Sequence, residues 1–299
     1  MQRSQAKQKT TKLNKIIMNG MGEDIPHVFL KYMIIDAHTH IFPDNIAARA
    51  VASLAKTANI EPNTDGTTSD TLRVMDDSGV DKAILVSVAT KREQMRTIND
   101  FLKTKESERF LPFGAMYPTT ENGCSAMLDE VEYIKKLGFK GLKMHPEYQS
   151  FYPDDEQLFP FYDLCSQYGL VITFHAGEDI GFKPPYHGLP ERFLYLAKAF
   201  PKLKIICAHF GGWKRWDETV EFLSDCENVY YDTAFCSKFL DNTTAKRLIT
   251  RKGAERIMLG SDLPWETPKD SISFIDSLKI TDREKELILG ENAKRILEL

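Results

Sequence analysis

Five of the seven histidines, His38, His40, His145, His175 and His209, each fall at the end of a short apolar run. A carboxylate, Asp262, ends another such run. Neutral imidazole nitrogens and a carboxylate oxygen converging on one point make the ligand set of a catalytic divalent cation. The segment Asp36-Ala37-His38-Thr39-His40 carries the first pair. On a strand, side chains at i and i+2 share a face, so His38 and His40 can reach one ion together. An H-x-H pair alone is weak evidence, since surface and core histidines produce the same spacing. The support lies further along, in Phe174-His175-Ala176-Gly177, Ala208-His209-Phe210-Gly211-Gly212 and Gly260-Ser261-Asp262-Leu263-Pro264. Asp262 could instead cap a helix ahead of Pro264, but that leaves the first histidine pair without a carboxylate. Asp36, two residues before His38, is expected on the same inward face but deeper, behind the ligands or as a buried structural acid.

Something must hold these residues together. From Met33 onward, short β-rich runs alternate with amphipathic helical stretches, the pattern of βα units around a parallel sheet. Eight strands are expected: 33–37, 82–89, 110–117, 139–144, 170–174, 204–208, 229–232 and 256–260. Each is nearly continuous in apolar residues, as a strand buried on both faces requires. Between them, Ser125–Leu137 carries Met127, Val131, Ile134 and Leu137 at helical spacing, and Gln157–Tyr168 reads as a helix closed by Gly169. Thr281 and Glu284 form a capping-box pattern ahead of the last helix. Eight strands over this length fit a (β/α)8 TIM barrel. A doubly wound sheet is the alternative, but no G-x-G-x-x-G follows the first strand. Catalytic groups of TIM barrels sit at the carboxyl ends of the strands, roughly a tenth of the chain, where random placement would put about one histidine. Five are there.

Composition narrows the partners. The 299 residues are 42% hydrophobic and 27% charged, with a net charge of −4 and a pI near 6.0. That balance gives no basic footprint for nucleic acid or an anionic membrane, so a small-molecule substrate is expected. No apolar stretch approaches the ~20 residues of a membrane-spanning helix. The five cysteines, Cys124, Cys165, Cys207, Cys226 and Cys236, are odd in number and widely spaced, which fits a reduced cytoplasm. Residues 1–32 hold six Lys/Arg against two Asp/Glu. They are expected to be a disordered or non-native extension without a secretory signal, and the barrel domain is expected to be 33–299. Barrels often pair through their outer helices, so a homo-oligomer is compatible with the sequence.

The segments D-A-H-T-H-I-F-P, G-L-K-M-H-P, F-H-A-G, A-H-F-G-G, Y-Y-D-T-A, G-S-D-L-P-W and E-N-A-K-R-I-L, in that order, resemble the amidohydrolase superfamily. The resemblance is closest to the amidohydrolase-related branch that includes aminocarboxymuconate semialdehyde decarboxylase. It runs from Met33 to about Leu297 and implies a metal-dependent TIM barrel in which His38, His40, His175 and Asp262 hold the metal. His209 is then a catalytic or second-metal histidine. Lys143 and His145 share a face at the end of strand four and leave three readings open. Lys143 can bind a substrate carboxylate with His145 donating a hydrogen bond. It can be carbamylated and bridge two metals, as in binuclear members of the superfamily. It can also form a Schiff base. Substrate binding with one metal is the favoured reading.

The cation is expected to be zinc, with Mn, Fe and Co also compatible with this ligand set. Such an ion lowers the pKa of bound water to about 7. The sequence therefore leads to hydrolysis of an amide, ester or lactone, with Asp262 and His209 handling the proton and the oxyanion. Nonoxidative decarboxylation of an aromatic or unsaturated acid by the same cage is the alternative, and a barrel that binds metal and ligand without turnover is the third. Phe42, Tyr148, Phe151, Phe210, Trp213, Phe235 and Trp265 could wall a pocket, and Lys91-Arg92 could hold an anion. The segment 177–188, with Gly181 and Pro184-Pro185, has the composition of a loop or lid over the site.

Overall fold

The computed structural model describes residues 33–299. The expectation for residues 1–32 lies outside the described residues. Eight parallel strands run in chain order around a barrel: β1 Ile35–Thr39, β2 Lys82–Val86, β3 Phe110–Ala115, β4 Gly141–Met144, β5 Val171–Phe174, β6 Ile205–Cys207, β7 Val229–Asp232 and β8 Ile257–Met258. All eight expected strands are present. Most are shorter than their apolar runs, because the ladder ends where the strands splay at the barrel mouth while the side chains remain buried. Ala89, for example, is buried although it lies beyond the end of β2.

Helices α1 Ala47–Ala58 and α2 Thr68–Ser78 both lie between β1 and β2. The remaining helices follow the strands: α3 Gln94–Lys105, α4 Ser125–Leu137, α5 Pro146–Gln149, α6 Phe159–Gln167, α7 Pro190–Ala199, α8 Trp216–Leu223, α9 Asn242–Lys252, α10 Pro268–Ser277, α11 Asp282–Glu286 and α12 Asn292–Leu297. Helix α4 has the bounds its spacing predicts, and Thr281 and Glu284 make both bonds of the capping box.

Two features of the barrel bear on the site. Asp36 pairs with Ala83, whereas Thr39 pairs with Leu85, so three steps along β1 match two along β2. Such a bulge flips the face of every later side chain. Asp36 and His38 therefore do not share a face, although their spacing predicts that they do. Ile35 and Ala37 pack into a buried cluster with Ile84, Val86, Phe113, Val171, Ile206 and Met258, joined by Ala293, Ile296 and Leu297 of α12. Helix α12 closes the amino end of the barrel, with the Asn292 amide donating to the carbonyls of Ala254 and Ile257.

The second feature is the seam between β8 and β1. It is stitched by the backbone of the site segments themselves: Ala37 N–H donates to Leu259 O (2.7 Å), Asp262 N–H to His38 O (2.8 Å) and His40 N–H to Leu263 O (2.8 Å). No helix among the described residues is long and apolar enough to cross a membrane, and all five cysteines are free.

Candidate active site

Each residue singled out for chemistry sits at a carboxyl strand end. His38 lies in β1 with His40 just beyond it, and Lys143 lies in β4 with His145 following. His175 follows β5, His209 lies two residues after β6, and Asp262 follows β8. His209 and Asp262 have φ of 60° and 68°. Left-handed backbone at a non-glycine residue costs on the order of 1–3 kcal/mol and concentrates at functional sites. Here it turns both side chains back over the barrel mouth.

The structure brings His38, His40 and Asp262 together, each offering a ligand atom within 4.8 Å of the others. His40 Nε2 lies 2.9 Å from Asp262 Oδ1, and His38 Nε2 lies 3.5 Å from the same oxygen. Behind them is Asp232, the last residue of β7, fully buried, which the sequence reading left without a role. Its Oδ2 accepts from His38 Nδ1 at 2.8 Å, while Oδ1 accepts from the backbone N–H groups of His209 and Ala234. That contact places the His38 proton on Nδ1 and leaves the Nε2 lone pair facing the cavity, where it accepts from Lys143 Nζ and has the orientation a metal-ligating histidine needs. Asp36 stands apart as a structural acid, accepting from Thr39, from the backbone of His38 and from both the backbone and hydroxyl of Ser261. Burial pushes its carboxyl up to about 6 against those hydrogen bonds.

His175 is not in this group. It stacks on His145 with ring centroids 4.2 Å apart, and the two form a second donor cluster with Asp179. Asp179 Oδ2 lies 3.4 Å from His145 Nε2 and 3.8 Å from His175 Nε2. Asp179 escaped sequence reading because it lies in a loop without periodicity. That loop, 177–188, is tied at its base by Gly177 N–H donating to Gly188 O (2.6 Å). It is also anchored by buried Glu147, which accepts from His187 Nδ1 and from the backbone of His187 and Gly188. Gly177 has φ 91°, and a Cβ there would sit 2.2 Å from Trp213 N. Only glycine fits.

Lys143 lies between the two clusters, 1% exposed, with Nζ 3.1 Å from His38 Nε2. Burial lowers its pKa to about 8, although Asp232, Asp262 and Asp179 pull it upward. Burial also holds His38 and His145 well below their usual range, and His175 and His209 at about 4. These four imidazoles are neutral at pH 7, as metal ligands must be. Burial raises the Asp262 carboxyl, but His38 and His40 outweigh it and keep it ionised, at about 2.

His209 and His175 have an instructive proton count. His209 Nδ1 lies 2.9 Å from Ala234 O, and His175 Nε2 lies 3.0 Å from Glu178 O. Both carbonyls accept, so each neutral ring spends its one proton there. His209 Nε2 and His175 Nδ1, 3.0 Å apart, then face each other with lone pairs. That gap is built to take a proton or another electrophile.

These groups line one cavity of about 680 Å³, within the usual range for small-molecule sites. Tyr148, Phe42, Trp213, Phe235 and Trp265 help to wall it, whereas Phe151 and Phe210 pack elsewhere. Lys91 reaches the rim, and Arg92 pairs with Glu121.

Residues 35–299 match the amidohydrolase family model. This chain belongs to the amidohydrolase family. Among curated proteins, it is 22% identical over 288 residues to the gamma-resorcylate decarboxylase of Polaromonas sp. (strain JS666 / ATCC BAA-500), covering 76% of this chain and 86% of that protein. Among solved structures, the 5-carboxyvanillate decarboxylase of Sphingomonas paucimobilis superimposes with a TM-score of 0.68 at 18% identity, over 90% of this chain and 100% of that one. The dihydroxybenzoic acid decarboxylase of Polaromonas sp. JS666, solved with manganese and the inhibitor 2-nitroresorcinol, gives 0.68 at 19% identity, over 90% and 97%.

These relatives correct the expectation of hydrolysis. They are decarboxylases of aromatic acids and match the alternative raised from the sequence. The physical reason is that the amidohydrolase motifs specify a cation cage, and the cage serves both reactions. Manganese in the Polaromonas structure supports a divalent cation for the family fold without singling out zinc.

Proposed function

We propose that this protein is a divalent-metal-dependent, nonoxidative decarboxylase of a hydroxylated aromatic acid. The observation that carries this reading is the junction of a donor set, a buried cation and an aromatic-walled cavity at one strand-end face. His38, His40 and Asp262 fit a divalent ion by donor chemistry, since two imidazoles and one ionised carboxylate converge and Asp232 fixes the His38 tautomer. The bound ion supplies Lewis-acid polarisation and charge neutralisation for an anionic substrate. Manganese is the ion favoured by the resemblance to the manganese-bound decarboxylase.

The chain's own residues supply the rest. Lys143 Nζ, buried beside the donor set, is the group placed to attract the substrate carboxylate. Phe42, Trp213, Phe235 and Trp265 give an aromatic wall for the ring, with Trp213 and Phe235 stacked 6.2 Å apart. In the reaction the ring-to-carboxyl bond breaks, carbon dioxide leaves, and the electron pair stays on the ring carbon. A proton must replace it. The facing nitrogens His209 Nε2 and His175 Nδ1 are the place to hold that proton and pass it to carbon.

The test is carbon dioxide release from Mn(II)-loaded protein given a panel of mono- and dihydroxybenzoates, with phenol formation followed in parallel. Deuterium from heavy water is expected at the vacated carbon. Hydrolysis of esters or lactones without carbon dioxide from any acid of the panel would refute the assignment.

A further inference from the structure

The cavity, at about 680 Å³, is larger than an acid-bearing ring requires, and the arm of it lined by two helices has a different character from its base. Helix α1 buries Ala47, Val51 and Ala55. One position back, Ile46, Ala50 and Leu54, at i, i+4 and i+8, form a second apolar stripe that is half-buried and lines the cavity. Across from it, α3 buries Met95, Asn99 and Leu102 and presents half-buried Ile98 and Phe101 to the same cavity. The arm is thus walled by two helices and runs without a break from the histidines and Lys143 at the base.

We propose that the substrate carries an extended hydrocarbon substituent on the side of the ring opposite its carboxyl group, and that the arm between α1 and α3 holds it. This rests on the decarboxylase reading for the acid end. Two features select this occupant. The arm is continuous with a polar, cation-bearing base, which fits one molecule with an anionic head and an apolar tail. Ile46, Ala50, Leu54, Ile98 and Phe101 outweigh the Ser53, Gln94 and Thr97 that share the lining, so the wall is mainly apolar and rewards transfer of hydrocarbon from water.

The experiment is calorimetric titration of the Mn(II)-loaded full chain with resorcinol and its 5-propyl, 5-butyl, 5-pentyl and 5-hexyl homologues. These probes resemble decarboxylated products and need no turnover. Burial of one methylene corresponds to about a fourfold gain in affinity. The dissociation constant is therefore expected to fall about fourfold per added carbon until the chain reaches the rim. Leu54→Asp and Ile98→Asp are each expected to flatten that dependence. A constant affinity across the series in the unmodified protein overturns the proposal, including the case in which a second copy already covers the arm. A dependence that survives both substitutions also overturns it, because the chain then lies elsewhere. Carbon dioxide release from the matching 2,6-dihydroxybenzoates separates the two readings. A steep dependence without release sustains the arm and refutes decarboxylation, whereas release with a flat dependence does the reverse.

Discussion

Replacing Asp232 by asparagine tests the organisation of the cation site with a change of one atom's chemistry. Asparagine can keep its Oδ1 on the backbone N–H groups of His209 and Ala234, now 3.0 and 3.1 Å away. What changes is the group facing His38 Nδ1 at 2.8 Å, where a carboxylate oxygen becomes an amide N–H2. Two donors cannot share that contact. His38 must move its proton to Nε2, which covers the lone pair that belongs to the cation, or the amide must turn and abandon the backbone donors. Loss of such an outer-shell partner weakens metal binding by about 10–100-fold, or ~1.4–2.7 kcal/mol. The loss is measured by competing a chromogenic chelator against wild type and Asp232→Asn for Mn(II) at pH 7.5. Thermal unfolding in excess chelator is the control, and it should show little loss, because the substitution also removes a fully buried charge. Equal Mn(II) affinity in the two proteins, with the fold intact, would refute the claim that Asp232 sets the His38 tautomer.

Three other outcomes are expected. Asp262→Ala should lower carbon dioxide release by at least ~10²-fold while leaving a cooperative unfolding transition, since the barrel core is built from other residues. Glu266, held between Ser237 and Ser271, is pushed by burial from 4.5 up to about 7. The folded state therefore holds the proton more tightly than the unfolded chain, so the associated stability is complete below pH 4.5 and is lost as pH rises through about 7. At ~1.4 kcal/mol per pH unit the gap is roughly 3 kcal/mol. Urea unfolding of Glu266→Gln should show a correspondingly smaller fall between pH 5 and pH 8, and an identical fall would rule the carboxyl out. Gly177→Ala should destabilise the fold by at least ~2 kcal/mol in the same assay, because its Cβ meets the backbone of Trp213 and its φ is 91°.

The barrel was legible because strands buried on both faces leave apolar runs that survive any choice of loop. The site was legible to the extent that its residues follow those runs. His38, His40 and Asp262 converge as their positions imply, but ring direction carries no sequence signal, and His175 turns toward Asp179 and His145 instead. Asp232 was visible only as part of a motif, since its contact with His38 joins residues 194 apart. The one-residue slip in β1 hid the true face of Asp36. Helix α1, one of two between the first two strands, was not singled out, although its apolar and polar residues segregate clearly onto different faces. The reaction itself was misread because a cation cage records which ion can bind and leaves open which bond is broken.

The seam where the last strand meets the first gives the cation a second consequence, in time rather than in chemistry. His40 and Asp262 are 222 residues apart, so an ion gripped by both is a reversible clasp across nearly the whole domain. Because such an ion binds the folded chain and is released on unfolding, it stabilises the fold by mass action, by about 2.7 kcal/mol at a free metal concentration 100 times its dissociation constant. A protein emptied of metal keeps its strands but loses the clasp, and resistance to proteases should then follow the free metal concentration of its surroundings. Metal supply would govern how long each molecule survives as well as whether it turns over.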